Sequence, residues 1–455
     1  MSTAALCLLV CEWGGVVLGL YAAANFLAAP MSPAGGATHS YLGAILVPAA
    51  LTSLLLYAFG LYGHQQLKDF RGSAPRLVAF LFIFAPLVIV SLNSNVAPAG
   101  SRSVLTYASW TAVLFTGILA ARLVYLTIVK ATLSPHRVLV VGVGKLAAEI
   151  EYMTSQRHST TKVVGYVGFT KDPMAVPSSR VLASASSLLS AARARGVNEV
   201  VVALDERRGA PVAPLLEARM EGIKITPYLS FWERETRRVN LNALDPSWLI
   251  YSDGFRVRTM MNGALKRALD VLASLFLLIL TLPTMLLVAA AIRLDSRGPI
   301  FYKQERVGRN GSVFEIYKFR TMRADAEGRG LPQWASLRDP RITRVGSFLR
   351  VMRIDELPQV LNVLRGDMSF VGPRPERPFF VESLSRDIPF YLERHRVRPG
   401  ITGWAQINYP YGASIEDAKA KLSYDLYYIK NFSLLFDLLI ILSTAQAILF
   451  NKGGR

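Results

Sequence analysis

The stretch "VLASLFLLILTLPTMLLVAAAI", residues 271–292, carries no charge and is long enough to cross the hydrocarbon core of a bilayer as a helix. A Lys-Arg pair precedes it, and Arg293 opens a basic segment after it. Because basic residues mark the cytoplasmic side, both ends are predicted to stay on that side. Pro283 lies near the middle, where it removes a helical hydrogen bond. The pattern therefore predicts a re-entrant helix over residues 268–293, bent at Pro283; an ordinary span with a tolerated proline is the alternative.

Further apolar runs open the chain, and each is long enough to span a membrane as a helix. They cover residues 4–29, 42–62, 75–96 and 104–129. The first run lacks the basic segment of a signal peptide and similar runs follow, so it is interpreted as a span. Basic residues concentrate in the loop between the second and third runs and after the fourth. The amino terminus and everything after the fourth run are therefore predicted to be cytoplasmic.

The composition agrees with a membrane protein that faces anions. Hydrophobic residues make up 52% of the 455 residues, and the formal net charge is +19. An apolar and basic chain suits anionic lipid headgroups or phosphate-bearing substrates. Nucleic acid is disfavoured as a partner, because no nucleic-acid motif accompanies the charge. Histidine is sparse and shows no metal-ligand spacing, so any metal is expected to be a hard cation held by carboxylates.

The middle of the chain changes to a soluble α/β pattern. The segment "HRVLVVGVGKLAAEI", residues 136–150, predicts a buried strand, a glycine turn and a helix. Its "GVGKLA", residues 142–147, fits the G-x-G-x-x-A turn of dinucleotide-binding domains. The acidic residue expected about twenty positions later is not evident. We therefore interpret residues 134–240 as a Rossmann-like domain that serves as a scaffold or regulatory module, followed by a connector over residues 241–262.

The segment "RIDELPQVLNVLRGD", residues 353–367, combines two adjacent acids with apolar residues at helical spacing. Asp355 is predicted at the amino terminus of a short helix that ends at Gly366, where both a carboxylate and a phosphate are favoured. A plain N-cap with Glu356 as a first-turn acid is the alternative. In this basic setting, one carboxylate could attack a phosphorus while its neighbour holds a divalent cation.

The segment "GPRPE" follows and places Arg374 between two prolines. The prolines restrict the backbone, so that the planar guanidinium could address a phosphate. A rigid turn with a surface arginine is the alternative.

From about residue 263 to 455 the chain resembles the bacterial sugar transferase family, the monotopic phosphoglycosyl transferases. The motifs that carry the resemblance occur in order: "KR" with a following Asp before the re-entrant run, "GPIFYKQERVGRNG", "FEIYKFRTM", "DELPQVLNVLRGDMSFVGPRPE", "RVRPGITGWAQIN" and "YDLYYIKN". The four apolar runs and the α/β middle resemble the long-form members that initiate polysaccharide assembly. The expected fold class is thus a mixed membrane protein: four transmembrane helices over residues 1–133, the Rossmann-like domain, and an α-rich monotopic catalytic domain with a re-entrant helix.

The resemblance implies a reaction and its partners. Family members transfer a sugar-1-phosphate from a UDP-sugar to a polyprenyl phosphate such as undecaprenyl phosphate, releasing UMP, in the cytoplasmic leaflet of the bacterial inner membrane. By this resemblance Asp355 would be the nucleophile that carries the phosphosugar, and Glu356 would help to hold Mg²⁺. The sugar, the pathway and the oligomeric state stay open, a homo-oligomer included.

Further site residues follow from the same resemblance. Candidate phosphate, nucleotide or functional contacts are Lys318, Arg320, Arg374, Arg398 and Asp425. For each of them a simple surface ion pair is the alternative. The family often has a serine before the proline of its re-entrant helix, whereas this chain has Leu282 before Pro283; Thr281 is the candidate replacement for that hydroxyl.

Other function classes fit less well. A membrane-bound nucleotide-sugar dehydratase or epimerase would use the Rossmann-like domain, but the Tyr-x-x-x-Lys pair of such enzymes does not occur. An ordinary glycosyltransferase is disfavoured because no Asp-x-Asp motif occurs. A membrane scaffold or receptor would leave the carboxy-terminal motifs without a purpose.

Overall fold

The computed structural model describes residues 10–15, 17–18, 52, 56, 116–120, 122–124, 136–155, 161–168, 173–182, 188–206, 210–252, 254–255, 260–323, 341–410, 412 and 414–449. The four predicted amino-terminal spans lie largely outside these residues. Their described residues are helical, and a buried ion pair joins the first run to the fourth, with Arg122 Nε 2.6 Å from Glu12 Oε1. The chain divides into two compact units, one ending at Lys224 and the other formed mainly by Ile225–Arg455.

The predicted parallel α/β sheet is confirmed, and it has five strands in the order β3-β2-β1-β4-β5. Strand β1 pairs in parallel with β2, and β2 in parallel with β3. The four residues from Val138 to Val141 are fully buried, as expected for a central parallel strand covered on both faces. The strands and helices are β1 His136–Val141, α1 Lys145–Ser155, β2 Thr161–Val167, β3 Val181–Leu182, α2 Leu188–Ala194, β4 Glu199–Val202, α3 Val212–Met220 and β5 Lys224–Pro227.

The predicted connector is folded structure that belongs to the carboxy-terminal unit. Helix α5 (Pro246–Tyr251) lies in the connector, and α4 (Tyr228–Thr236) lies just before it. Both helices belong to the carboxy-terminal unit, which begins at Ile225 and thus before the predicted boundaries at residues 240 and 262. The indole of Trp404 donates to the carbonyl of Arg237 at 2.9 Å. Within the connector, Leu241, Leu244 and Trp248 pack against the hydrophobic core of the carboxy-terminal unit, so the connector packs as part of the domain that follows it.

The carboxy-terminal unit mixes helices with two small sheets, so the predicted α-rich domain also contains strands. β6 and β7 form an antiparallel hairpin, and β8 pairs in parallel with β9. The elements are α6 Met260–Asp295, β6 Phe301–Val307, β7 Val313–Phe319, α7 Arg344–Val351, α8 Val360–Arg365, β8 Ser369–Val371, α9 Pro378–Asp387, β9 Gly400–Thr402, α10 Trp404–Asn408, α11 Ile415–Lys430 and α12 Leu434–Leu449.

Helix α6 contains the apolar run and is, among the described residues, the one helix long and apolar enough to cross a membrane. Both of its ends pack on the carboxy-terminal unit. Near the start, Asp270 accepts from the hydroxyl of Ser369 at 3.0 Å. Near the end, Ile292 is buried in a cluster with Phe319 and Leu349. Between the ends, large apolar side chains are exposed: Leu272, Leu275, Phe276, Ile279, Leu280, Leu282, Leu286 and Leu287.

Helix α12, the last apolar segment, lies along the same unit rather than leading away from it. Near its start, Asp437 Oδ2 is 2.7 Å from Lys266 Nζ of α6. Further along, the hydroxyl of Thr444 is 2.6 Å from that of Thr402 on β9. Because contacts near both ends bind the helix to the same body, α12 is a surface helix of this unit.

Candidate active site

The two adjacent acids lie in a 3-10 turn, Ile354–Gln359, and not at the start of an α-helix. Pro358 lies inside this turn, and α8 begins only at Val360. Neither the turn nor α8 has a side-chain cap, which argues against the alternative of Asp355 as a plain N-cap. The predicted stop is confirmed, because Gly366 adopts φ +97°, a left-handed conformation that glycine tolerates best.

Glu356 is held by two cations that converge on one of its oxygens. Lys318 Nζ, from β7, is 2.8 Å from Oε1, and Arg374 Nη2 is 2.7 Å from the same atom. Burial alone would raise the pKa of Glu356, but Arg374 and Lys318 hold this pKa well below its usual range. Glu356 is therefore ionised, and it fixes the positions of two cations that are predicted separately as phosphate contacts.

Asp355 beside it has a different environment. Its residue is only 9% exposed, yet its carboxylate makes no hydrogen bond or ion pair with any residue that the structure describes. Burial and the neighbouring charge of Glu356 raise the pKa of Asp355, while Lys318 and Arg350 oppose the shift. A carboxylate without partners keeps its lone pairs available, as a nucleophile requires.

Arg350 is a further residue of the candidate site, and no sequence motif marks it. It lies on α7, five residues before Asp355, and its Nε donates to the hydroxyl of Thr321 at 2.9 Å. Its charge also acts on Asp355. The only sequence signal was its position in a basic segment next to the acids, which many surface arginines share.

Arg320 does not join this cluster, although it was predicted to bind substrate. Its residue is 5% exposed, and its guanidinium donates to the carbonyl oxygens of Arg297 at 2.9 Å and Ser296 at 2.7 Å. These carbonyls follow the end of α6, where helix carbonyls lack partners. The contacts give Arg320 the role of anchoring the end of α6.

Arg398 and Asp425 have charged neighbours other than Asp355. Arg398 has Arg309, Arg267 and Asp270 as its charged neighbours, and burial together with the two arginines lowers its pKa. Asp425 is buried, and Arg394 Nη2 lies 2.8 Å from its Oδ2.

Asp425 is connected to the acids only indirectly. The same nitrogen of Arg394 donates to the carbonyl of Arg374 at 3.1 Å. Burial raises the pKa of Asp425 to about 6, although Arg394 opposes the shift.

The donor set fits a Mg²⁺ ion that is shared with a substrate. Among the described residues no group of three His, Cys, Asp or Glu side chains could hold a metal alone. Mg²⁺ usually takes one or two carboxylates and completes its shell with substrate phosphates and water. Asp355 and Glu356 would supply such a pair, since among the described residues the second oxygen of Glu356 has only a long 3.5 Å contact with Arg374.

A carboxylate pair surrounded by cations, on a unit that carries an exposed apolar helix, defines a membrane-associated protein that handles phosphate groups. The chain belongs to the bacterial sugar transferase family. The family described as "Bacterial sugar transferase" matches residues 261–451. UDP-glucose:undecaprenyl-phosphate glucose-1-phosphate transferase of Escherichia coli (strain K12) is 33% identical over 323 residues, which is 70% of this chain and 68% of that protein.

Other relatives match a smaller share of their own length. UDP-N-acetylgalactosamine-undecaprenyl-phosphate N-acetylgalactosaminephosphotransferase of Aeromonas hydrophila is 46% identical over 223 residues, 49% of this chain and 52% of that protein. Undecaprenyl-phosphate glucose phosphotransferase of Komagataeibacter xylinus is 44% identical over 194 residues, 42% of this chain and 36% of that protein. The chain thus spans about half or less of these two relatives. A second family, described as "CoA-binding domain", matches residues 57–221. None of these relatives supports the alternative of a dehydratase or epimerase.

Proposed function

We propose that the protein transfers a sugar-1-phosphate from a UDP-sugar to undecaprenyl phosphate or a similar polyprenyl phosphate, with release of UMP, as the first membrane step of polysaccharide synthesis. The observation that carries the proposal is the difference between the two adjacent acids. Asp355 has no hydrogen-bond or ion-pair partner among the described residues, whereas Glu356 is held by Lys318 and Arg374. The names of the relatives support the same acceptor and a sugar phosphate as the transferred group.

The first step is attack by the Asp355 carboxylate on the sugar-bearing phosphorus of the donor. A bond forms between an Asp355 oxygen and that phosphorus, and the bond from the phosphorus to the bridging oxygen breaks. UMP leaves with that oxygen and the electron pair. In the second step a phosphate oxygen of the lipid attacks the same phosphorus. The acyl-phosphate bond breaks, which yields the polyprenyl diphosphosugar and restores the carboxylate.

The surrounding cations suit the charge that both steps handle. Lys318, Arg350 and Arg374 all act electrostatically on Asp355. Cations held rigidly near a transferring phosphoryl group stabilise its transition state without reorganising during the reaction. Lys318 and Arg374 are held in this way by Glu356, while Arg350 is oriented by its contact with Thr321. Mg²⁺, held by Glu356 with Asp355 nearby, would neutralise further phosphate charge.

The proposed site lies on a unit that docks on the membrane from the cytoplasmic side. Both ends of α6 pack on this unit while its middle exposes apolar side chains, which supports a re-entrant helix. Pro283 lies within the exposed part. The hydroxyl of Thr281 donates to the carbonyl of Leu277 at 2.7 Å, a contact that favours bending of a helix. We place the protein in the bacterial inner membrane as a multi-pass protein with this unit in the cytoplasm.

The test is transfer from radiolabelled UDP-glucose and UDP-N-acetylgalactosamine to undecaprenyl phosphate by the purified full chain. Without the lipid acceptor, the covalent mechanism predicts a burst of UMP no larger than the amount of enzyme and a phosphosugar adduct on the peptide with Asp355. Asp355→Asn should reduce turnover by roughly a thousandfold or more and abolish the burst. Asp367→Asn, in the same segment, is the matched control and should keep full activity. Full activity of Asp355→Asn would exclude the covalent mechanism, and transfer that depends on NAD would contradict the proposed reaction.

A further inference from the structure

The buried ion pair between Arg394 and Asp425 lies close to the proposed site but has no part in the steps above. Arg394 Nη2 is 2.8 Å from Asp425 Oδ2, and Nε is 3.1 Å from the same oxygen. The two residues are 5% and 1% exposed. Desolvating two charges often costs more than their attraction returns, and apolar replacements of such pairs are often at least as stable. Stability is therefore a poor explanation for this pair.

Arg394 also donates to two groups besides Asp425. Nη1 donates to the hydroxyl of Tyr391 at 2.9 Å, and Nη2 donates to the carbonyl of Arg374 at 3.1 Å. That carbonyl precedes Pro375, which has no N–H to anchor the loop. The guanidinium of the same Arg374 holds Glu356. One planar group thus contacts a buried acid, a phenol and the backbone of a proposed active-site arginine.

We propose that Arg394 is a positioning residue: it fixes the carbonyl of Arg374 so that the Arg374 guanidinium stays on Glu356, and Asp425 holds Arg394 in the required orientation. The role of Asp425 is thereby also a positioning one. The proposal rests on the proposed function only through its activity measurements. A lysine at position 394 could not replace the arginine, since one ammonium cannot meet three fixed acceptors with the geometry of a guanidinium.

Removing one charge of a buried pair can prevent folding, so the main test removes both charges. The double variant Arg394→Met, Asp425→Leu should fold and melt close to the wild type. Its kcat/KM for the UDP-sugar should nevertheless fall by about a hundredfold, the size of effect expected when a supporting group misplaces a reacting constellation by about 1 Å. A double variant with wild-type kcat/KM would overturn the proposal.

A second buried ion pair of the same unit provides the matched control. Lys430 lies five residues after Asp425 on α11, and it pairs with Glu233; both side chains are almost fully buried. The double variant Lys430→Met, Glu233→Leu removes the same charges without touching Arg374 or its loop. It should keep kcat/KM within about twofold of the wild type. An equal loss in both double variants would show that burying a charge pair, and not the contact with Arg374, explains the effect.

A double-mutant cycle identifies the route of the effect. If Arg394 acts through Arg374, adding the Arg394→Met, Asp425→Leu change to Arg374→Ala should lower kcat/KM no further. Losses that multiply would show an independent role and overturn the proposal.

An experimental structure of the double variant gives a readout that needs no activity. Arg374 should leave Glu356, so that the 2.7 Å contact is lost. An unchanged contact would refute the positioning role even if the wild type showed no transfer. Absence of transfer by the wild type, in contrast, would refute only the proposed function.

An independent observation concerns the Rossmann-like sheet. Asp205 follows β4, the neighbour of β1 in the sheet, and its carboxylate reaches the glycine turn after β1. Its oxygens accept from the backbone N–H of Lys145 at 2.7 Å and of Leu146 at 2.9 Å. These N–H groups open α1, at the switch point where dinucleotide-binding domains hold a pyrophosphate.

We infer that Asp205 is an internal anion that takes the place of a ligand phosphate, so that this turn binds neither coenzyme A nor a dinucleotide. A bound pyrophosphate would have to displace the carboxylate and would meet its negative charge. The residues present therefore do not fit the ligand that the name of the matching family suggests. The domain is better explained as a scaffold whose phosphate position is filled by its own chain.

Hydrogen exchange of the peptide spanning residues 142–150 tests this inference on the full chain. In the wild type, coenzyme A, NAD and inorganic pyrophosphate should leave its exchange unchanged. Asp205→Ala should exchange faster there because two helix N–H groups lose their acceptor, whereas Glu206→Ala, the adjacent exposed acid, should not. Protection of the wild-type peptide by any of the three probes, or unchanged exchange in Asp205→Ala, would refute the inference.

Discussion

Lys318 and Arg374 come from distant parts of the chain and bind the same atom, Oε1 of Glu356, at 2.8 and 2.7 Å. Two cations would repel each other at this separation without the shared carboxylate. Glu356 therefore holds the two cations in place, while its neighbour Asp355 makes no hydrogen bond or ion pair within the part of the chain that the structure describes. The two adjacent acids therefore differ because both cations bind Glu356.

Asp355→Asn is expected to stabilise the protein at neutral pH although it abolishes transfer. Burial and Glu356 raise the pKa of Asp355 against the opposing charges of Lys318, Arg350 and Arg374. When the pKa of a carboxyl is higher in the folded than in the unfolded state, the protonated carboxyl stabilises the folded state. This stabilisation is lost as the pH rises through the pKa of the folded state. A neutral amide avoids that loss.

Melting temperatures of the variant and the wild type, compared over a pH series, check this prediction. The variant should melt higher at neutral pH, by about 2–4 °C for each kcal/mol gained in a domain of this size. The difference should shrink toward acid pH, where the aspartate is protonated as well. A variant that melted lower than the wild type at neutral pH would contradict the assigned environment.

Glu356→Gln should lower the stability of the protein and raise the Mg²⁺ concentration that turnover requires. The amide removes the charge that neutralises Lys318 and Arg374, so these cations repel each other and the variant should melt lower than the wild type. The wild type should lose turnover with a chelator and regain it with Mg²⁺. The variant should need a higher Mg²⁺ concentration for half-maximal turnover, because one proposed ligand has lost its charge.

Titration of turnover with Mg²⁺ in both proteins measures this difference. Glu315→Gln, which removes an exposed acid of β7, is the control and should leave the Mg²⁺ requirement unchanged. An identical requirement in Glu356→Gln and the wild type would argue against Glu356 as a metal ligand.

Arg320→Met should reduce stability more than it changes substrate use. The arginine donates to two carbonyl oxygens beyond the end of α6, and its loss removes these part-buried hydrogen bonds, at about 1 kcal/mol each. The folded fraction should keep a KM for the UDP-sugar close to that of the wild type. Arg374→Met provides the contrast, since it should change kcat/KM strongly with a smaller change in melting temperature. A large rise of KM in Arg320→Met would restore it as a substrate contact.

The two ends of α6 are expected on the same side of the membrane. Gly263→Cys and Asp295→Cys place thiols at exposed positions near either end of the helix. In inverted inner-membrane vesicles, both thiols should react with a membrane-impermeant maleimide, in a background with Cys7 and Cys11 replaced by serine. Labelling of only one of the two positions would identify an ordinary transmembrane span and refute the re-entrant helix.

Local sequence determined much of this protein. An uncharged run of sufficient length predicts a membrane helix wherever it folds, and alternating strand, glycine turn and helix signals predicted the parallel sheet. The adjacent acids and the arginine between prolines also stand out as motifs, because their residue types and spacing carry the chemistry. These features depend on neighbours in the chain, so the sequence was sufficient to locate them.

Only the tertiary structure decided which charged groups meet. Arg320 and Lys318 are two residues apart in one motif, yet one anchors the end of α6 and the other binds Glu356. Arg350 and Arg394 acquire their roles from partners brought together by folding. A long cationic side chain can pair with any acid or carbonyl within its reach, and only packing determines which of them is near. The two acids can therefore be identified from the sequence, whereas only the fold determines which cations lie next to each of them.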